Sequence, residues 1–112
     1  MTTLVIADMF GSPALRSELR TLLAGAERQA AGHDGCLRYT VAVSIDDPDH
    51  YVVTEHWRDE AALEAHCASP EFKRFQFELH DLLVRSSEAT VYTVDATLRP
   101  VASGPIDPRD AD

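Results

Sequence analysis

The chain has 112 residues and a mass of 12.4 kDa, the size of one domain with a modest core. Nineteen acidic residues against ten Lys plus Arg give a net charge of −9, which argues against nucleic acid and anionic membrane surfaces as partners. Apolar runs last only a few residues and the start lacks the basic and apolar parts of a signal peptide, so no membrane span and a cytoplasmic location are expected.

The predicted elements follow in chain order. Thr3 to Phe10 reads as a strand. In "GSPALRSEL" Ser12 is expected to cap a helix and Pro13 to open it, where a missing N–H costs nothing. Leu15, Leu19, Leu22, Leu23, Ala26 and Ala30 form one apolar stripe behind that start, and "GHDG" is a turn. Cys36 to Ile45 alternates as a strand, "DDPD" carries turn chemistry, and His50 to Trp57 completes a hairpin. Asp59 caps a short helix, and Ser69-Pro70 starts another that places Phe72, Phe75, Leu79, Leu82 and Leu83 on one face. Ala89 to Leu98 reads as a last strand. The proline- and aspartate-rich residues 100–112 are expected to form a disordered tail beyond a domain spanning 1–99.

This order, β-α-β-β-α-α-β, predicts a ferredoxin-like α+β fold with a four-stranded antiparallel sheet and helices on one face. Neither face of the sheet is cleanly polar: Leu4 and Ile6 oppose Val5 and Met9, and Val52 opposes Tyr51 and Val53. A second copy packed sheet to sheet by a two-fold operation is the expected cover, which makes the protein a homodimer.

Glu55, Trp57 and His66 crowd the junction of the second hairpin strand and the helix after it. His66 follows Leu63 by three and Ala62 by four, so it faces the sheet with them. It reads either as a core histidine or as a base whose ordinary pKa lies close to neutral. Glu55 and Trp57 share a strand face. Simple pairing across "DDPD" sets Thr40 opposite Glu55 and Arg38 opposite Trp57, so Arg38 is expected diagonal to Glu55 as an ion-pair partner. Tyr39 then falls on the opposite face from Trp57, toward the expected second subunit. Asp8 is an acid in apolar company that can rim a pocket. Cys36 and Cys67 form no CxxC or zinc spacing and read as small buried hydrophobes. His56, His66 and His80 show no HxxxH or HxxH spacing, so no metal site is expected.

The stretch "GCLRYTVAVSIDDPDHYVVTEHWRDEAALEAHCASPEFKRF" resembles the antibiotic biosynthesis monooxygenase (ABM) domain family. It carries a Gly-Cys-x-x-Tyr strand, an acidic turn, Glu-x-Trp, an Ala-Leu helix, a His and Ser-Pro-x-Phe. The resemblance covers roughly Thr2 to Leu98 and implies a dimeric α/β-barrel with a pocket between sheet and helices. It also implies oxygenation of phenolic, quinol or polyketide-like aromatics with O₂ and without a cofactor. Haem-degrading relatives use an Asn, a Trp and an axial His at what look like the positions of Asp8, His66 and Gln76, so haem is not expected. On this footing His66 and Glu55 are the expected catalytic pair, and Trp57, Arg38, Asp8 and Phe72 the expected substrate-binding residues. The alternatives are a non-catalytic dimeric module that binds a small molecule, and a cyclase or isomerase using the same pocket.

Overall fold

Alternation along the first strand sorts its residues onto two faces of the sheet. In the computed structural model, which describes residues 1–95, Thr3, Val5, Ala7 and Met9 of strand β1 (Thr2–Phe10) are buried, while the residues between them are half-buried or exposed. Helix α1 (Arg16–Ala31), strands β2 (Cys36–Val43) and β3 (His50–Trp57), helices α2 (Glu60–Ala68) and α3 (Pro70–His80) and strand β4 (Glu88–Val94) follow. The sheet runs β2-β3-β1-β4 with every neighbouring pair antiparallel. Its helices lie on one face, which is the ferredoxin-like α+β architecture. Residues 96–98 of the expected last strand and the expected tail at 100–112 lie outside the described residues. Among the described residues, no helix is long and apolar enough to cross a membrane.

β3 repeats the alternation of β1, with Tyr51, Val53, Glu55 and Trp57 turned toward the helices. The register sets Met9 opposite Tyr51, Ala7 opposite Val53, Val5 opposite Glu55 and Thr3 opposite Trp57. Leu19 and Leu23 of α1 and Phe75 and Leu79 of α3 close over the middle of this surface. Trp57 and Val5 form a second, smaller cluster under Ala62 and Leu63 of α2.

The start of α1 differs from the sequence expectation. Pro13 opens a 3-10 turn over Pro13–Leu15, the Ser12 side chain caps nothing, and the α-helix begins only at Arg16. The stripe therefore enters the core at Leu19, while Leu15 stays exposed. Arg16 compensates for the missing cap from the other side. Its guanidinium donates two 2.9 Å bonds to the Asp49 carboxylate and ties the start of α1 to the β2–β3 turn. At the far end, α3 stops at His80, so Leu82 and Leu83 pack from the turn beyond it.

The hairpin also differs from simple pairing. β2 ends at Val43, the Ser44 N–H donates to the His50 carbonyl, and Ile45 is fully exposed in the turn. The pairs are Val43 with Tyr51, Val41 with Val53 and Tyr39 with Glu55, one residue away from the expected set. Strand faces alternate with period two, so that single step exchanges the faces of Arg38 and Tyr39. An irregularity between Cys36 and Arg38 absorbs the offset and pushes Leu37 outward.

Gly35 is where α2 comes down onto the start of β2. It adopts φ +81°, its carbonyl accepts the Arg58 N–H at 2.8 Å, and a Cβ there would lie 2.5 Å from the Ala62 Cβ. Left-handed backbone and a methyl clash against a helix both oppose any side chain at this point. Gly35→Ala is expected to destabilise the fold by about 2–4 kcal/mol, combining both effects. Urea unfolding of the two proteins checks the value, and a loss under about 1 kcal/mol would mean α2 moves aside without cost.

Candidate active site

The last four residues of β3 bring an acid and an indole under α2. Glu55 and Trp57 are two apart on one strand face, and the Trp57 indole N–H donates to Glu55 Oε1 at 2.9 Å with both side chains buried. Burial raises the Glu55 pKa above the usual carboxylate range, and the indole hydrogen bond pulls part of the way back. Beside it on β2, the Tyr39 phenol is held protonated well above its ordinary range by burial and by the Glu55 charge.

Two caps aim α2 so that its inner face meets this pair. Asp59 accepts the Ala62 N–H at 2.8 Å and starts the helix, as its sequence position predicts. Ser69 ends it: its hydroxyl donates to the His66 carbonyl at 2.6 Å and accepts from the Phe72 N–H at 3.2 Å, capping α3 with the same group. Between the two caps, Ala62, Leu63 and His66 point down.

His66 is 7% exposed and stands in an aromatic box. Its ring centre lies 4.7 Å from Trp57, 4.9 Å from Phe72, 4.9 Å from His33 and 6.1 Å from Tyr39. Nδ1 is 2.9 Å from Nδ1 of His33, so one of the two rings donates and the other accepts. Nε2 is buried with no hydrogen-bond partner. Burial first, and the neighbouring His33 second, lower the His66 pKa to about 4, which leaves the ring neutral at physiological pH.

Three hollows surround this ring. A small, partly open hollow of about 10 Å³, the space of a single water, is lined by Ala26, Ala30, His33, Tyr39, His66 and Phe72 among others. An open groove of about 710 Å³ runs between α1 and α3 and shares Ala26, Gln29, Glu71 and Phe75 with the cavity wall. A second surface groove, of about 470 Å³, lies between the α1–β2 turn and α2, and His33 and His66 line it too.

Of the residues expected at the site, Glu55, Trp57, His66 and Phe72 come together. Trp57 is fully buried and stands behind His66 as its support, while Phe72 lines the cavity. Arg38 and Asp8 lie elsewhere. The one-residue hairpin offset turns Arg38 to the open face, opposite His56, where its guanidinium reaches only Thr40 at 3.3 Å. The expected Arg38–Glu55 pairing is therefore not formed. Asp8 also faces the open side and pairs with His50 Nε2 at 2.7 Å. Cys67, expected buried, is exposed on α2, and both cysteines are free.

Two residues of the cluster are not placed here by the sequence. Simple pairing sets Tyr39 on the opposite face, and His33 reads as part of a turn. The only sequence signal for His33 is its place between two glycines at the end of a long amphipathic helix, which fixes where the chain reverses but not what its side chain meets. Among the described residues, no group of three or more His, Cys, Asp or Glu is arranged to hold a metal ion. Gln76, at the position expected for a haem ligand, and His80 are both exposed on α3.

These features define a ferredoxin-like α+β protein with an ionisable cluster enclosed between its sheet and its helices. The chain belongs to the antibiotic biosynthesis monooxygenase (ABM) family, whose family model matches residues 2–77. Rv0793 of Mycobacterium tuberculosis, a protein whose name proposes monooxygenase activity, is 33% identical over 87 residues, covering 78% of this chain and 85% of that one. Its structure superposes with a TM-score of 0.77 at 30% identity, covering 94% of this chain and all of the other. A Deinococcus radiodurans structure, whose name proposes an antibiotic biosynthesis monooxygenase, gives a TM-score of 0.83 at 25% identity over 89% of this chain and 99% of its own. SnoaB of Streptomyces nogalater, described as a cofactor-independent oxygenase, shares the fold with a TM-score of 0.76 at 23% identity over 88% of this chain and 98% of its own.

The depressed His66 pKa has a definite sign. A group whose folded pKa lies below its unfolded value stabilises the fold fully above about pH 6.5 and loses that contribution as pH falls toward 4. Ring-carbon NMR signals of His66 are expected to hold neutral-imidazole positions down to about pH 5, and a midpoint near 6.5 would show the ring to be solvated. Between pH 7.5 and 5 the wild type should also lose roughly 2 kcal/mol that His66→Phe does not lose.

Proposed function

We propose that this chain is a cofactor-independent monooxygenase acting on a phenolic, quinol or polyketide-like aromatic ring with O₂. The observation that carries the reading is the neutral, desolvated His66 with Nε2 free, enclosed by Trp57, Phe72 and Tyr39 and backed by Glu55. A deprotonated hydroxyarene is electron-rich enough to reduce O₂ directly. The protein then has to take a proton, hold the ring and keep water away from the intermediate. His66 Nε2 is the proton acceptor in this reading, Phe72 and Tyr39 are the walls of the ring site, and Glu55 orients the cluster through Trp57 or serves as an alternate base.

The small hollow beside His66 has room for a water or an O₂ but for no aromatic ring. Substrate therefore reaches His66 by parting α1 from α3, and the groove already present there has the volume of a small-molecule site. The small cavity is also the observation that favours a second reading, a non-catalytic binding module. A cyclase or isomerase would use the same base without oxygen. Purified protein treated with chelator and given reduced menadione or an anthrone in an oxygen electrode separates the three. Uptake well above background autoxidation, falling at least tenfold in His66→Ala, is the expected result. Uptake at the background rate would remove the monooxygenase, and uptake unchanged in His66→Ala would remove His66 as the base.

The same reading makes the protein a homodimer. Leu4, Ile6, Val52 and Tyr92 share the open face, with Ile6 and Tyr92 exposed. An apolar sheet face of this kind is normally covered. Light scattering at micromolar concentration is expected to give twice the chain mass, and Ile6→Asp to shift it toward the single chain. A wild type at the single-chain mass would overturn the dimer.

A further inference from the structure

The proposed base contains a physical conflict. Desolvation makes His66 hard to protonate, yet the reaction asks it to accept a proton. Its neighbour offers a way out that the first reading did not use. His33 is half-buried just beyond the end of α1, lines both the small cavity and the 470 Å³ surface groove, and faces His66 through the 2.9 Å Nδ1–Nδ1 contact. The two rings meet edge to face, with centres 4.9 Å apart and planes at 62°. Together they form the partition between cavity and groove.

We propose that His33 acts through His66 as a proton relay joining the buried cavity to solvent. The step balances without a cation on His66. A proton arrives at His66 Nε2, the proton on His66 Nδ1 passes to His33 Nδ1, and His33 releases its Nε2 proton to water. His66 ends neutral in its other tautomer. The transient charge falls on His33, the ring nearer water, where an imidazolium costs less. Reversed, the same path delivers a proton to an anion in the cavity and resets His66. A relay of this kind explains why an imidazole nitrogen is left unpartnered in the interior, where an unmade hydrogen bond is costly.

Charged and titratable groups stand on both sides of the pair. From the sheet, Glu55 and Tyr39 face the His66 side. On the groove side stand Asp34 and Asp59, both held by Arg58, and Glu71 of α3 lines the cavity.

The relay rests on the Nδ1–Nδ1 geometry, and its use in turnover rests on the proposed monooxygenase; two measurements keep these apart. Exchange of the His66 ring N–H with water, read by ¹⁵N-resolved NMR, tests the relay without any substrate. His33→Gln keeps a polar partner for His66 but cannot pass a proton through. The exchange rate is expected to fall at least tenfold in His33→Gln while the slowly exchanging backbone amides of α2 keep their rates. An unchanged or faster ring exchange overturns the relay, since a purely structural His33 would give one or the other. If His33→Gln does not fold, His33→Asn is read by the same criterion. In the oxygen electrode, His33→Gln should lower kcat for quinol at least tenfold with KM unchanged, and added imidazole should restore part of it. Slowed exchange in a protein that oxidises no quinol keeps the relay and removes the oxygenase; quinol oxidation with unchanged exchange does the reverse.

Discussion

An imidazole stripped of water can be neutral or it can be paired, and His66 is arranged to be neutral. The first cause is the removal of water by Trp57, Phe72 and the floor of the sheet, and the neighbouring His33 adds to it. The same dryness raises the Glu55 carboxyl and keeps the Tyr39 phenol protonated. Three ionisable groups are thus pushed together toward their uncharged forms. In a medium of low dielectric that is the arrangement of lowest cost, and any proton brought in by a ligand perturbs all three at once.

Keeping water out depends on how closely α2 approaches the sheet, and the backbone enforces it at three points. Gly35 lets the Ala62 methyl come nearly into contact with the main chain. Asp59 fixes the first turn of α2, and Ser69 joins its last carbonyl-bearing turn to the first turn of α3. The Ser69 hydroxyl is the economical element here. By donating to the His66 carbonyl and accepting from the Phe72 N–H, it couples the position of the proposed base to that of the ring that walls the cavity. A motion of α3 that opens the groove would therefore pull on His66.

Much of this was legible in the sequence because it is written in local chemistry. Asp59, Ser69 and Pro70 announce helix starts by residue type, and Glu55 and Trp57 share a face by parity alone. His66 could be oriented from its spacing to Ala62 and Leu63. What was not legible depends on where chain segments meet. Arg38 and Tyr39 exchange roles because the turn takes up one residue more, Ile45, than simple pairing assumes, with the irregularity before Arg38 absorbing the difference. The Ser12 cap failed for a related reason: Arg16 is held by Asp49, thirty-three residues away, and helix geometry begins where that contact is made. His33 reaches His66 across the same sequence distance. No periodicity within either segment encodes such a meeting.

The two faces of the sheet then divide the work by chemistry. Asp8, His50, Phe10 and Arg85 form a chain on the open side: a 2.7 Å hydrogen bond, a stacked ring pair at 4.7 Å and a guanidinium 3.6 Å above the Phe10 ring. There the Asp8 carboxylate and the His50 ring partner each other. The helix side does the opposite at one point, holding a nitrogen unpaired inside a box that could have been filled by a leucine. A leucine there would remove the unmet hydrogen bond and pack as well against Trp57, so the imidazole is retained at a cost in stability. That cost falls on the helix side of the sheet, at the ring enclosed by Trp57 and Phe72.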